Sequence, residues 1–137
     1  MPFEVFILAL SILLTALQFV VMAVAVNTDR RVGPRWTMGA RDEPRTYGRF
    51  AGRMKRAFEN QLEGLLLFTA AVTVVALSGQ STAFTGLMAT IYLVARLLYV
   101  PAYAFHVWGV RSTVWAVGFV ATLAMPVAAL LFTRAAT

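Results

Sequence analysis

Three groups of charged and polar residues stand out because their types and spacing could do chemistry inside otherwise apolar segments. In the first group, Arg56, Asn60 and Glu63 are spaced i, i+4 and i+7, so a helix would place them on one face. A guanidinium binds carboxylates through paired hydrogen bonds, whereas a carboxylate beside an amide suits an ammonium or amide group. This group could also be an ordinary ion pair, but Glu63, followed directly by an apolar run, favours a functional role.

A second group follows spacings of 4, 3, 4 and 3, which again describes one helical face: Tyr92, Arg96, Tyr99, Tyr103 and His106. An interfacial aromatic belt would explain tyrosines alone, but not a stripe that also carries Arg96. Since no acidic residue lies on the same helix, we expect Glu59 or Glu63 to supply the counter-charge. One histidine without any cysteine gives no metal-ligand spacing, so no metal site is expected.

The third group is the pair Arg111 and Ser112, at the predicted start of the last helix. Taken alone, the pair would be a positive anchor followed by an N-cap serine. Its position on the same side of the membrane as the other groups makes it part of one cationic, tyrosine-lined site. Such a site suits a small zwitterion with an excess of carboxylate, while the bilayer supplies an apolar co-substrate. Because the chain has no cysteine, any thiol must come from a bound molecule.

Four long apolar segments must position these groups. The 137 residues are 60% hydrophobic and 13% charged, whereas soluble domains are about half apolar and a quarter charged. A helix over 5–26 would be about 33 Å long and could cross a hydrocarbon core of about 30 Å. A signal peptide is disfavoured there, because no positive residue precedes the run and arginines follow it. We therefore predict an all-α integral membrane four-helix bundle, one domain over 1–137, with helices at about 5–26, 53–77, 82–105 and 112–132.

Most of the twelve basic residues lie between Arg30 and Arg56, in or beside the loop 27–52. A basic cluster can bind nucleic acid, but this one lies between two apolar segments, so a cytoplasmic loop is favoured and no nucleic-acid partner is expected. Contact with anionic lipid headgroups is compatible with it. The turn that ends at Arg111 shares the positive side. We expect a multi-pass protein of the bacterial inner membrane, with both termini on the outer side.

The three groups together resemble motifs of the MAPEG family (membrane-associated proteins in eicosanoid and glutathione metabolism). The matching patterns are Arg56-Ala-x-x-Asn60-x-x-Glu63, Arg96-x-x-Tyr99-x-x-x-Tyr103 and Arg111-Ser112, and Asp29-Arg30-Arg31 resembles the arginine pair that ends the family's first helix. The resemblance implies a homotrimer that holds glutathione, as a co-substrate, between neighbouring subunits. It implies that the glutathione-binding residues are Arg30, Arg56, Asn60, Glu63, Arg96, Tyr99 and Tyr103. It assigns catalytic roles to Arg111, which would stabilise the thiolate, and to the neighbouring Ser112.

The chain also departs from parts of the family pattern. Trp115 and Gly64 stand where some members have tyrosine, and Glu59 replaces an arginine of the prostaglandin-synthase branch, which argues against a specific prostaglandin-E isomerase. The expected function is a glutathione-dependent membrane transferase or peroxidase that acts on lipophilic electrophiles. The alternative is a non-enzymatic trimeric membrane protein that binds lipid or serves as an accessory subunit of a larger membrane complex. Arg111 separates the two, because thiol activation requires a cation there and assembly does not.

The charge distribution makes a testable topology prediction. A reporter inserted near Trp36 should be cytoplasmic and one fused after Thr137 should be external, because basic loops stay on the cytoplasmic side. Labelling of reporter fusions in intact cells measures this directly. An externally accessible Trp36 would contradict the orientation.

Overall fold

A computed structural model describes the backbone of residues 1–135 and the side chains of residues 1–132. Its elements are α1 (Phe3–Thr28), α2 (Gly33–Met38), α3 (Arg49–Leu77), α4 (Ala83–Ala104) and α5 (Val110–Ala135). The four long helices are each long and apolar enough to cross a membrane, which confirms the prediction of an all-helical chain with four such segments. Residues 136 and 137, the end of the predicted domain and the site of the external reporter, lie outside the described residues.

The short helix α2 was not predicted, because the sequence at Gly33-Pro34 is typical of a turn. Pro34 instead occupies the first turn of α2, where the missing N–H of proline costs no helical hydrogen bond. Gly33 precedes it with φ 73°, a conformation that glycine adopts without strain. The loop 27–52 is thus partly helical rather than wholly irregular.

The central helices of the bundle are α3 and α4, which carry the first two polar groups. Both α1 and α5 pack against this pair, and α3 and α4 also contact each other, whereas α1 and α5 do not touch within the described residues. Between the helices, the ring of Phe68 stacks on that of Tyr92 with centroids 3.9 Å apart. This core holds the second polar group, on α4, against α3. Helix α5 packs along one side of the pair.

Helix α1 turns its few polar residues inward and its large apolar residues outward. Ser11, Thr15 and Gln18 are buried in the bundle, while Leu13 and Leu17 are more than half exposed. The Ser11 hydroxyl donates to the Ile7 carbonyl at 2.9 Å, and Gln61 of α3 donates through Nε2 to Thr15 Oγ1 at 3.0 Å. Hydrocarbon cannot satisfy such groups, so they belong between helices.

The buried carboxylate of Glu4, in the first turn of α1, connects α1 to α4. The sequence analysis did not predict this contact. Glu4 has no exposed surface and accepts hydrogen bonds from the hydroxyls of Ser81 and Thr85. Thr85 also forms a capping box with Thr82 at the start of α4. Because buried charges need partners, the three side chains fix where α1 begins relative to α4.

The basic loop is held by a second carboxylate, that of Asp29 just after α1. Its Oδ1 accepts from the backbone N–H of Arg31 at 3.0 Å and its Oδ2 accepts from that of Gly48 at 2.5 Å. A Cβ atom on Gly48 would lie 2.9 Å from Oδ2, so a side chain here would push the carboxylate away from the Gly48 amide. The contact closes the loop and sets the start of α3 beside the end of α1.

This contact should be pH-dependent. The two N–H donors hold the pKa of Asp29 below its ordinary value, so the contact stabilises the loop above a pH of about 4 and is lost as the pH falls through the lowered pKa. Hydrogen exchange at the Gly48 amide, corrected for its intrinsic rate, should be slow from pH 7 to about 5 and rise below about 4.

The matched control is Asp29→Asn, which should exchange faster at neutral pH and show no added rise in acid. A wild-type Gly48 amide that stays equally protected at pH 3 would contradict the role of Asp29.

Candidate functional site

A groove of about 600 Å³ opens between α3, α4 and α5 at the end of the bundle that carries the basic loop. We call it the polar groove; it is lined by Arg56, Glu59, Asn60, Glu63, Tyr99, Tyr103, Arg111, Ser112, Trp115 and Ala116. Its size is that of a small-molecule site, for which about 300–1,000 Å³ is usual. All three sequence groups therefore contribute side chains to one concave surface.

Tyr103 lies between the two arginines of the polar groove. Arg56 Nε donates to the Tyr103 hydroxyl at 3.0 Å, and Arg111 Cζ lies 4.9 Å from the centre of the same ring. The ring is nearly buried, while both guanidinium-bearing residues are exposed. Since a guanidinium has five N–H donors, both arginines keep donors for an anionic ligand.

Arg96 lies behind the polar groove rather than in it. It is 3% exposed, and its Cζ is 5.3 Å from the Tyr92 ring centre and 5.7 Å from that of Tyr99. Its Nη1 donates to Asn60 Oδ1 at 2.8 Å. Arg96 therefore contacts Asn60, which lines the polar groove, but does not line the groove itself.

The expected ion pair of Arg96 with Glu59 or Glu63 is wrong for this chain, because neither pairing occurs among the described side chains. Glu59 instead pairs with Lys55, one turn earlier on α3. Lys55 lies four residues before Glu59 on the exposed surface of the same helix, so the two side chains reach each other easily. Arg96 is buried, and the side chain within its hydrogen-bonding reach is the amide of Asn60. Glu63 stays exposed at the groove.

Two further predicted site residues, Arg30 and Ser112, differ in their place relative to the polar groove. Arg30 is exposed in the turn after α1 and does not line the polar groove of the same chain. Ser112 does line it, but as the third residue of α5, which begins at Val110. Gly109, with φ 79°, makes the turn before α5, so Ser112 is not the N-cap.

An apolar groove meets the polar groove at Ser112 and Ala116, which line both. The apolar groove has a volume of about 640 Å³ and is otherwise lined by Met88, Ile91, Thr113, Val117, Val120 and Ala121. It runs along α4 and α5 toward the middle of the bundle. A polar ligand and an apolar one could therefore meet at Ser112.

Trp115 is a groove residue that sequence analysis noted only as a departure from the family pattern. It stacks on Phe119 with ring centres 5.2 Å apart and keeps 40% of its surface exposed at the polar groove. The sequence could have indicated that Trp115 lines the groove, because it lies four residues after Arg111 and both therefore lie on one face of α5.

Comparison with known protein families gives one match. The family model described as "MAPEG family" matches residues 6–131 of the chain, a range that includes α3 and α4 entirely, most of α1 and α5, and every residue of the polar groove. Neither the curated proteins nor the solved structures gave a match.

Proposed function

Because the chain belongs to the MAPEG family, we propose that it is a glutathione-dependent membrane transferase or peroxidase that acts on lipophilic electrophiles. The family includes glutathione transferases and peroxidases among other members, and it generally uses glutathione. Among the activities of the family, we assign glutathione transfer or peroxide reduction to this chain because of the chemistry of its two grooves.

The observation that carries the proposal is the junction of the polar and apolar grooves at Ser112 and Ala116. A reaction between glutathione and a lipophilic electrophile must bring a charged tripeptide and a membrane-dissolved molecule to one point. The polar groove suits the first reactant, and the apolar groove, open along the lipid-facing helices, suits the second. Reacting atoms that meet beside Ser112 gain the advantage of fixed proximity.

The polar groove offers complementary groups for the charged parts of glutathione. The free N–H donors of Arg56 match a carboxylate, and the exposed carboxylate of Glu63 matches the ammonium group. Bonds between ionised partners are about twice as strong as neutral ones. We therefore retain Arg56, Asn60, Glu63, Tyr99 and Tyr103 as the proposed binding residues within one chain.

The proposed chemistry begins with ionisation of the bound thiol. A free thiol has a pKa near 8.5, and each unit of lowering corresponds to about 1.4 kcal/mol of preferential stabilisation of the thiolate. Arg111 supplies a cation beside the groove junction, and Ser112 supplies a hydroxyl donor. The thiol proton leaves to water.

The thiolate then has two possible electrophiles. With an electrophilic carbon, its electron pair forms a thioether bond, and the displaced pair leaves with the leaving group or is protonated after addition. With a hydroperoxide, it attacks the terminal oxygen and breaks the O–O bond, which gives a glutathione sulfenic acid and an alkoxide that takes a proton from water to become an alcohol. A second glutathione then converts that acid to the disulfide and water.

We further propose a homotrimer whose subunit contacts cover the polar groove. Family members are typically trimeric membrane proteins, and one chain leaves Glu63 and Arg111 exposed. A charge facing hydrocarbon costs at least about 2.5 kcal/mol near the bilayer centre, so a neighbouring chain is a better surrounding than lipid. A site between subunits would also give Arg30 a route to glutathione. The basic loop is proposed to be cytoplasmic, in a bacterial inner membrane.

Two substitutions on α3 test binding. Arg56→Ala and Glu63→Gln should each weaken glutathione affinity more than tenfold, because removing one partner of a buried charged hydrogen bond costs about 2–5 kcal/mol. Isothermal calorimetry on detergent-purified protein measures the affinity, and Arg45→Ala, in the exposed loop, is the control that should bind like wild type.

Folded variants that keep wild-type affinity would assign the α3 group a structural role. A wild-type chain that binds no glutathione would favour the non-enzymatic alternative.

A substitution on α5 tests catalysis separately from binding. Arg111→Ala should keep glutathione affinity within a few fold but lower turnover roughly 10²-fold, the scale of losing one charge-stabilising donor. The ultraviolet absorbance of the bound thiolate should fall in parallel. Ser112→Ala should have a smaller effect. Its control is Thr73→Ala, an exposed residue of α3 whose hydroxyl donates to the Thr69 carbonyl, which should be as active as wild type.

Full activity and a full thiolate signal in Arg111→Ala would show that another group activates the thiol, with Tyr99 and Tyr103 the nearest candidates.

A further inference from the structure

The one buried arginine among the described residues is Arg96, and its surroundings limit what it can do. Tyr92 and Tyr99 lie on either side along α4, and both rings are at most 5% exposed. Its hydrogen bond to a side chain goes to Asn60 of α3. A buried cation held this way has little freedom to move into the polar groove and bind a ligand itself.

The contact with Arg96 determines the orientation of the Asn60 amide. A guanidinium has donors only, so the amide must turn its oxygen, Oδ1, toward Arg96 Nη1. Its nitrogen, Nδ2, carries two N–H donors and has no hydrogen-bond partner among the described residues. Since Asn60 lines the polar groove, those donors are available to a ligand.

Gly64 provides the space that Arg96 occupies beside α3. A Cβ atom at this position would lie 1.9 Å from Arg96 Nη2 and 2.5 Å from its Cζ. The guanidinium cannot easily retreat, because the two tyrosine rings flank it. Any side chain on residue 64 would therefore displace the guanidinium from Asn60.

We propose that Arg96 is a positioning residue that acts through Asn60, that Gly64 is the residue which admits it, and that Asn60 is thereby set to read a hydrogen-bond acceptor on the ligand. This inference rests on the proposed function, in which the ligand is glutathione. It replaces direct binding by Arg96 with an indirect role. It also makes the polar groove selective for an acceptor, a carboxylate or a peptide carbonyl, at the position of Asn60.

The isosteric variant Asn60→Asp tests the amide orientation. The new carboxylate can still accept from Arg96, so the fold and melting temperature should be kept, but it presents an oxygen to the ligand in place of N–H donors. We expect glutathione affinity, measured by calorimetry, to fall more than tenfold. Affinity equal to or above that of wild type would overturn the proposed orientation.

A double-mutant cycle tests the role of Gly64. Gly64→Ala should weaken glutathione binding about tenfold or more in the wild-type chain, yet less than threefold when added to Arg96→Met, because the guanidinium it displaces is already gone. The thiolate absorbance per bound glutathione should be unchanged in Gly64→Ala, since that signal depends on Arg111 at the other side of the groove. Gly86→Ala on α4, where a Cβ atom would meet only the Phe3 ring at 3.1 Å, is the matched control and should bind like wild type.

The outcomes separate this inference from the proposed function. If wild type binds glutathione and Gly64→Ala binds equally well, or costs as much in the Arg96→Met background as in wild type, the positioning role is wrong while the proposed function stands. If wild type binds no glutathione, the proposed function fails and the donor role of Asn60 fails with it. Loss of binding in Asn60→Asp and Gly64→Ala, with the predicted non-additivity, supports both.

Discussion

The bundle depends on one constraint, that polar groups within an apolar solvent must find partners inside the protein. Each unsatisfied group in hydrocarbon costs several kcal/mol, so the polar residues of a spanning helix mark its inner face. On α1 this face carries Glu4, Ser11 and Thr15, all buried, while the large aliphatic side chains point outward. The usual pattern of a soluble helix is reversed, and it orients α1 against the two central helices.

The same constraint shapes the candidate site. Arg96 is tolerated inside the bundle because two aromatic rings and the Asn60 amide surround it, and Gly64 leaves it room. The polar groove departs from this rule, since Glu63 and Arg111 remain exposed on one chain. A bound ligand and a neighbouring subunit would give these two exposed charged groups the partners that one chain does not provide. Structural burial and proposed binding thus follow from one physical requirement.

The length of the apolar segments was enough to predict the four long helices. Helical periodicity was enough to group Arg56, Asn60 and Glu63, because residues at i, i+4 and i+7 share a face whatever the helix packs against. The partner of Arg96 was not predictable in this way. Matching of opposite charge selected Glu59 or Glu63, whereas side-chain reach between two particular helices selects Asn60. Glu4 was missed because it lies near the chain start, and its partners Ser81 and Thr85 are distant in sequence. The short helix α2 was missed because Pro34 is compatible with both a turn and a helix start.

Native mass spectrometry of the detergent-solubilised protein with added glutathione tests the central claim most directly, since it reports subunit number and ligand together. The account predicts trimers that carry glutathione, and Glu63→Gln trimers that do not. Monomers that retain glutathione would contradict a site completed by neighbouring subunits, and wild-type trimers that never acquire glutathione would contradict the proposed function.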